Sequence, residues 1–295
     1  MAKPRNIEFV EASFGKFLTP DATLETMRVG YDEMCPKVEG DVAVKDGKVG
    51  GVPGRWIEPK DAGPGVVLYF HGGGYVIGSS RSHTYLAAGI ASAAKAKVFV
   101  VDYRRAPEHP FPAAVDDAVA AYKGLLDSGV PADKIAFAGD SAGGGLTLAT
   151  IHAVRAAKLP QPKCAVTLSA WTDLSCTNPS IEGNTELDPF VTPDIVRGMA
   201  QAYVGEKGNV RDPLVSPIHG DFAGFPPLLM QVGSDEILLD DTLRAAQKAK
   251  AADVPVTLTV EDGMIHVYQQ LAWIIPEGGP AIAEIGAFVK NHLAR

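Results

Sequence analysis

The chain has 295 residues, of which 46% are hydrophobic and 21% charged, and its formal net charge is -8 at pH 7. This composition is typical of a globular protein and excludes a disordered chain. The acidic balance argues against a nucleic-acid partner and against an anionic membrane surface. No run approaches the roughly 18 apolar residues of a membrane span, and the start of the chain lacks the apolar segment of a secretory signal. The three cysteines have no metal-ligand spacing, so we expect a cytoplasmic protein with reduced thiols.

Strands and helices alternate along the chain, which predicts an α/β fold with a mostly parallel central sheet and helices on both faces. An antiparallel hairpin is expected first, over 38–45 and 49–57, with its turn at Asp46-Gly47. Six apolar, β-branched runs then predict buried strands, at 66–70, 98–101, 135–138, 165–168, 228–232 and 257–260. Helices are expected between them, at 85–94, 113–126, 142–157 and 241–252.

Two segments do not follow this alternation. The amino-terminal segment is amphipathic and precedes every predicted strand, and the connection over 169–227 is long and rich in turn residues. A connection of this length is typically a functional insertion. We therefore predict a single domain over 1–295, with a small helical cap formed by about 1–40 and about 178–215.

The most informative motif is Gly139-Asp140-Ser141-Ala142-Gly143, which follows a predicted strand and opens a predicted helix. A strand, a sharp turn bearing serine and a helix form the geometry of a nucleophile elbow. The flanking glycines are required because such a tight turn leaves no room for neighbouring Cβ atoms. We predict that Ser141 is a nucleophile at the carboxyl end of a strand, where ligands bind in open parallel sheets.

Three other strand ends carry residues that suit the chemistry of a serine nucleophile. His71-Gly72-Gly73-Gly74 follows one strand, and its glycines allow backbone N–H groups to approach a developing anion. Gly233-Ser234-Asp235-Glu236 follows another, and we predict Asp235 as the carboxylate that orients an imidazole, with Asp262 as the alternative. His266 follows the last strand, where a general base is needed. The five remaining histidines are interpreted as surface or packing residues.

Together these motifs resemble the hormone-sensitive-lipase-like esterases, also called bacterial family IV, a branch of the α/β hydrolases. The matching residues are 71–74, 139–144, Asp235, and Gly263-Met264 with His266. The segment 102–113 is also similar to the family, with Arg105 where leucine is more usual. The resemblance extends from about Gly50 to the carboxyl terminus.

The resemblance implies a catalytic triad of Ser141, Asp235 and His266, and an oxyanion hole formed by the backbone N–H groups of Gly73, Gly74 and Ala142. It implies a serine carboxylesterase that hydrolyses short-chain esters through an acyl-enzyme. The alternatives are a lactone hydrolase or a small-molecule deacetylase with the same triad and, more distantly, a non-catalytic ligand receptor. No metal and no cofactor are expected, since the chemistry needs neither and no dinucleotide-binding motif is present. Family members often pair, so we also expect a homodimer, with the strand at 257–260 as its edge.

Overall fold

The computed structural model describes residues 19, 21–38, 40–206 and 208–294. Its strands are β1 (Val42–Val49), β2 (Val52–Pro59), β3 (Val66–Phe70), β4 (Lys97–Val101), β5 (Ile135–Asp140), β6 (Cys164–Leu168), β7 (Leu228–Gly233) and β8 (Val256–Glu261). Its helices are α1 (Leu24–Met34), α2 (Thr84–Ala94), α3 (Ala113–Asp127), α4 (Ala142–Ala156), α5 (Pro179–Gly183), α6 (Pro193–Val204), α7 (Leu239–Ala251) and α8 (Gly278–Leu293). Every strand and helix predicted above is present, with ends that differ by one or two residues except in the hairpin.

The strands form one eight-stranded sheet in the order β1-β2-β4-β3-β5-β6-β7-β8. Strand β2 pairs antiparallel with both of its neighbours, and all pairs from β4 to β8 are parallel. The parallel strands are apolar along their whole length because both of their faces are covered. In β3, for example, Val66, Leu68 and Phe70 join one apolar cluster, and Val67 and Tyr69 join another. The mostly parallel sheet is therefore confirmed.

The amino-terminal hairpin is present, but its predicted turn is wrong. Asp46 and Gly47 lie in the middle of β1, where they face Arg55 and Gly54 of β2. The chain reverses at Gly50-Gly51, where both residues have positive φ angles of 59° and 83°. A two-residue hairpin turn requires positive φ at both positions, and two glycines adopt this conformation more readily than Asp-Gly. Asp46 instead accepts a hydrogen bond from Arg55 Nε at 2.8 Å across the strands.

Helices cover both faces of the sheet. Helices α2 and α8 pack against each other on one face, and α3, α4 and α7 cover the other. The predicted cap segments contain α1, α5 and α6. The part of the predicted cap at 1–18 lies outside the described residues. No helix of the described residues is long and apolar enough to cross a membrane.

Candidate active site

Ser141 occupies a strained turn between β5 and α4. Its backbone angles are φ 52° and ψ -121°, a combination that a non-glycine residue adopts only when its surroundings impose it. The backbone N–H of Ser141 donates to the carbonyl of Leu168 at 2.8 Å, and its carbonyl accepts from Trp171 N–H at 2.9 Å. These bonds to β6 and the residues after it fix the turn, so that the side chain stands at the carboxyl end of the sheet.

The glycines that flank Ser141 have no space for a side chain. A Cβ atom on Gly139 would overlap the carbonyl of Gly143, and one on Gly143 would overlap the carbonyl of Phe70. Both obstacles are backbone atoms, which cannot rotate away. The predicted reason for the glycines on this turn is therefore confirmed.

His266 links Ser141 to a buried carboxylate. Nε2 of His266 lies 3.0 Å from Oγ of Ser141, and Nδ1 lies 2.6 Å from Oε2 of Glu236. A carboxylate can only accept, so Nδ1 carries the proton and Nε2 presents its lone pair to the serine hydroxyl. Ser141 can thus lose its proton to His266, and the resulting positive charge lies beside Glu236.

The prediction that Asp235 is the acid beside His266 is wrong: Glu236, the next residue, is in that position. The backbone N–H of Asp235 donates to the carbonyl of Met264 at 2.9 Å, and its carboxylate accepts from Ser234 Oγ at 2.7 Å. The side chain of Glu236 is fully buried and turns toward the histidine. Sequence reasoning named the right turn after β7 and the wrong one of two adjacent carboxylates. Within the described residues the alternative, Asp262, makes no hydrogen bond with His266.

Glu236 is held on its other oxygen as well. Oε1 accepts from the backbone N–H of Gly233 and from Oγ of Ser169, both at 2.7 Å. Ser169 in turn accepts from the backbone N–H of Val267 at 3.0 Å, directly after His266. Both oxygens of this buried carboxylate therefore accept hydrogen bonds. Ser169 therefore ties the acid and the base to the end of β6, a role that its sequence position did not reveal.

The pKa of His266 is raised above its ordinary value of 6.5. Burial alone would lower this pKa, but the charge of Glu236 and its hydrogen bond outweigh burial, with further contributions from Asp188 and Asp140. A histidine whose pKa is higher in the folded state stabilises the fold fully below about 6.5, and this contribution is lost as pH rises through the folded-state pKa. The surroundings thus favour the imidazolium, which is the form that a general base creates.

The glycine loop after β3 lies beside Ser141. Gly73 and Gly74 have φ angles of 108° and 62°, which place them in conformations that favour glycine. Within the described residues, neither backbone N–H has a hydrogen-bond acceptor on the backbone. Ala142 is the first residue of α4, so its N–H has no partner in a preceding turn. All three N–H groups named from the sequence are therefore available to an anion near Ser141.

A buried polar network around Asp140 contacts this glycine loop. Asp140, adjacent to the nucleophile, accepts from Tyr69 OH at 2.7 Å and from Gly72 N–H at 3.1 Å, and lies 3.2 Å from His83 Nε2. Burial opposes ionisation of Asp140, yet its pKa is lowered, because His83 and the Tyr69 hydroxyl stabilise the charge. His83, interpreted from the sequence as a surface or packing residue, is fully buried and belongs to this network.

A cavity of about 90 Å³ opens above Ser141. Both predicted cap segments contribute to its apolar walls, Tyr31 from α1 and Met199 from α6 among them. Trp171, interpreted from the sequence as a structural anchor, is buried and also lines the cavity. Within the described residues no group of three or more metal-ligating side chains is close enough to hold an ion.

Comparison with known proteins agrees with this fold. A family model for the alpha/beta hydrolase fold matches residues 67–270. An acetyl-hydrolase from Streptomyces hygroscopicus is 41% identical over 276 residues, which cover 92% of this chain and 92% of that protein. The carboxylesterase NlhH of Mycobacterium tuberculosis is 30% identical over 287 residues, covering 94% of this chain and 85% of its own.

A crystal structure of an esterase from the bacterial hormone-sensitive lipase family matches with a TM-score of 0.95 and 43% identity, over 99% of this chain and 100% of that one. The chain therefore belongs to the alpha/beta hydrolases and, among them, to the bacterial hormone-sensitive-lipase-like esterases. It is a carboxylic ester hydrolase. The family, the fold and the enzyme class predicted from the sequence are confirmed.

Proposed function

We propose that this protein is a serine carboxylesterase that hydrolyses short-chain esters through an acyl-enzyme on Ser141. The observation that carries the proposal is the continuous series of hydrogen bonds from Ser141 Oγ to His266 Nε2 and from His266 Nδ1 to Glu236 Oε2. Nucleophile, base and acid in this geometry recur on unrelated folds that perform acyl transfer. The proposed triad is thus Ser141, His266 and Glu236.

In the first half of the reaction, His266 Nε2 takes the proton of Ser141 as Oγ attacks the ester carbonyl carbon. The carbonyl oxygen becomes an oxyanion, which the N–H groups of Gly73, Gly74 and Ala142 stabilise. Glu236 stabilises the imidazolium that forms. The tetrahedral intermediate collapses when the alcohol leaves with the proton from His266, and the acyl group remains on Ser141.

In the second half, water occupies the place of the alcohol. His266 takes a proton from the water, whose oxygen attacks the acyl carbon and forms a second oxyanion in the same N–H site. Ser141 leaves with the proton from His266, and the carboxylic acid is released. Every proton moves through one imidazole, so the mechanism needs no group beyond these residues and water.

The size of the cavity supports a short acyl chain. Its volume of about 90 Å³ is small beside the roughly 300–1,000 Å³ of pockets that enclose drug-sized ligands. The walls are mostly apolar. Phe190, Val191 and Met199, all from the cap segment at 178–215, line the cavity together with Ser141 and His266. Such walls suit an aliphatic acyl group of a few carbons.

The name of one relative favours a narrower substrate range for the proposed esterase, in which the acyl group is acetyl. The protein that is 41% identical is named an acetyl-hydrolase, and the deacetylase alternative uses the same proposed triad. Hydrolysis of a lactone by the same triad stays a second candidate activity. The relatives are enzymes, and this leaves the receptor alternative without support. A cytoplasmic location stays a prediction from the sequence.

A rate series tests the proposal. Aryl esters from acetate to decanoate are hydrolysed under one condition, and kcat/KM is measured with the wild type and with Ser141→Ala. We expect a maximum at or below butyrate and a loss of at least 10⁴-fold in the variant. A maximum at acetate alone supports the deacetylase version. A maximum at decanoate, or activity that survives in Ser141→Ala, contradicts the proposal.

A further inference from the structure

A buried carboxylate in the cap, Asp188, has no role in the mechanism above. It lies in the loop between α5 and α6, and its relative exposure is 5%. Within the described residues its carboxylate accepts hydrogen bonds from three backbone N–H groups. Burying a charge costs stability unless donors compensate, and this arrangement indicates a function beyond filling space.

The two oxygens of Asp188 bind different parts of the site. Oδ1 accepts from the N–H groups of Phe190 and Val191, at 3.1 and 3.0 Å, and both of these residues line the cavity. Oδ2 accepts from the N–H of Ile237 at 3.0 Å. Ile237 directly follows Glu236, the acid that contacts His266. One carboxylate therefore joins the cavity wall to the turn that carries the acid.

Other residues of the same cap segment hold the same turn. Nδ2 of Asn184 donates to the carbonyls of Ser234 and Glu236, at 3.1 and 2.9 Å. Oγ of Ser180 donates to the carbonyl of Ile237 at 2.7 Å. The backbone on both sides of Glu236 is thus bonded to the cap, and not only to the strand from which the turn emerges.

We propose that Asp188 is a positioning residue of the catalytic centre, which fixes the turn bearing Glu236 against the cap and adds negative charge near His266. This inference rests on the proposed triad and deepens it. The charges of Asp188 and His266 each favour the charged form of the other. Burial raises the pKa of Asp188, and the charge of His266 opposes that rise. The charged groups that act on His266 are Glu236, Asp188 and Asp140, and all three raise its pKa.

The substitution Asp188→Asn separates this role from simple packing. The amide oxygen can still accept from Phe190 and Val191, but the amide nitrogen then faces the N–H of Ile237, so two donors oppose each other. We expect kcat to fall about tenfold, because the opposed donors displace the turn that holds Glu236 against His266. Because one negative charge near His266 is lost, the acid limb of kcat/KM should also move to lower pH.

Three further variants complete the experiment, with p-nitrophenyl butyrate as substrate and circular dichroism to verify folding. Asp194→Asn removes an exposed carboxylate at the start of α6 and should change neither kcat nor the pH profile. Asn184→Leu removes a cap contact without changing charge, so kcat should fall while the acid limb stays in place. In a Glu236→Gln background, Asp188→Asn should change kcat less than twofold, because both act through the same histidine.

Values of kcat and pH profile in Asp188→Asn that equal those of the wild type would overturn the inference. Full additivity with Glu236→Gln would do the same. If Asp188→Asn does not fold, Asn184→Leu decides alone: a lowered kcat supports the cap anchor, and an unchanged kcat overturns it. A wild type that hydrolyses no ester would instead contradict the proposed function, before the variants are compared.

Discussion

Glu236→Gln and Asp235→Asn form a matched pair, because the two adjacent carboxylates differ in position and not in chemistry. The structure fixes how a glutamine would be oriented at 236. Two donors, Gly233 N–H and Ser169 Oγ, face one oxygen of Glu236, and one donor, His266 Nδ1–H, faces the other. The amide oxygen should therefore face the two donors, and the amide nitrogen should face the histidine.

This orientation has a large catalytic cost. Opposite an N–H donor, Nδ1 of His266 must become an acceptor, so the proton moves to Nε2, which then cannot accept the proton of Ser141. In a serine protease, an Asp→Asn change in the triad that leaves the histidine in the wrong tautomer lowers kcat by about 10⁴. This loss is about 5 kcal/mol of transition-state stabilisation. We expect a loss of about this size in Glu236→Gln.

Asp235→Asn should retain kcat within about threefold, because its carboxylate accepts only from Ser234 Oγ in the described structure. The assay is kcat on p-nitrophenyl butyrate from initial rates, with active enzyme counted by a stoichiometric serine-reactive organophosphate. Thermal unfolding of both variants verifies that they are folded. A Glu236→Gln enzyme with more than a tenth of wild-type kcat, or an Asp235→Asn enzyme with a 10³-fold loss, would refute the assignment of the acid.

Three other predictions use different parts of the structure. Because the pKa of His266 is raised above 6.5 and its neutral form is the base, kcat/KM should rise with pH through an apparent pKa above 6.5; a midpoint below 6 would contradict this. Met199→Ala removes a side chain that lines the cavity, so the preferred acyl chain should lengthen by two or more carbons in the ester series. An unchanged preference would show that Met199 does not limit the length of the acyl chain. The exposed edge strand β8 should mediate a homodimer, so Val260→Lys should give a monomer in light scattering, whereas Val44→Lys, at the opposite sheet edge, should not. A wild-type monomer would refute the dimer.

The sheet could be predicted from the sequence because its parallel strands are buried on both faces. Such strands are continuous apolar runs, and Val66–Phe70, for instance, ends where the apolar residues end. Ser141 and His266 could be predicted for a related reason, since Ser141 directly follows β5 and His266 lies in the loop that follows β8. The hairpin turn was misplaced because the sequence offers two glycine-bearing pairs, and only the register of β1 with β2 distinguishes them.

The identity of the acid could not be predicted from local pattern. Asp235 and Glu236 are adjacent in one turn, and which of them faces the histidine depends on long-range contacts with Met264, Ser169 and the cap. Asp188 and Asn184 were missed for the same reason, because each meets the turn across about fifty residues of sequence. Contacts of this kind leave no periodicity or spacing that a single sequence displays.

The covalent intermediate on Ser141 is the central claim, and mass spectrometry of acid-quenched reactions tests it directly. The enzyme is mixed with excess p-nitrophenyl butyrate, quenched within milliseconds and digested, and the peptides are mapped. We expect a butyryl group on the peptide that contains Ser141, accumulating faster than it decays, and none in Ser141→Ala. A butyryl group on another residue, or a burst of p-nitrophenol from Ser141→Ala equal to that of the wild type, would contradict the account.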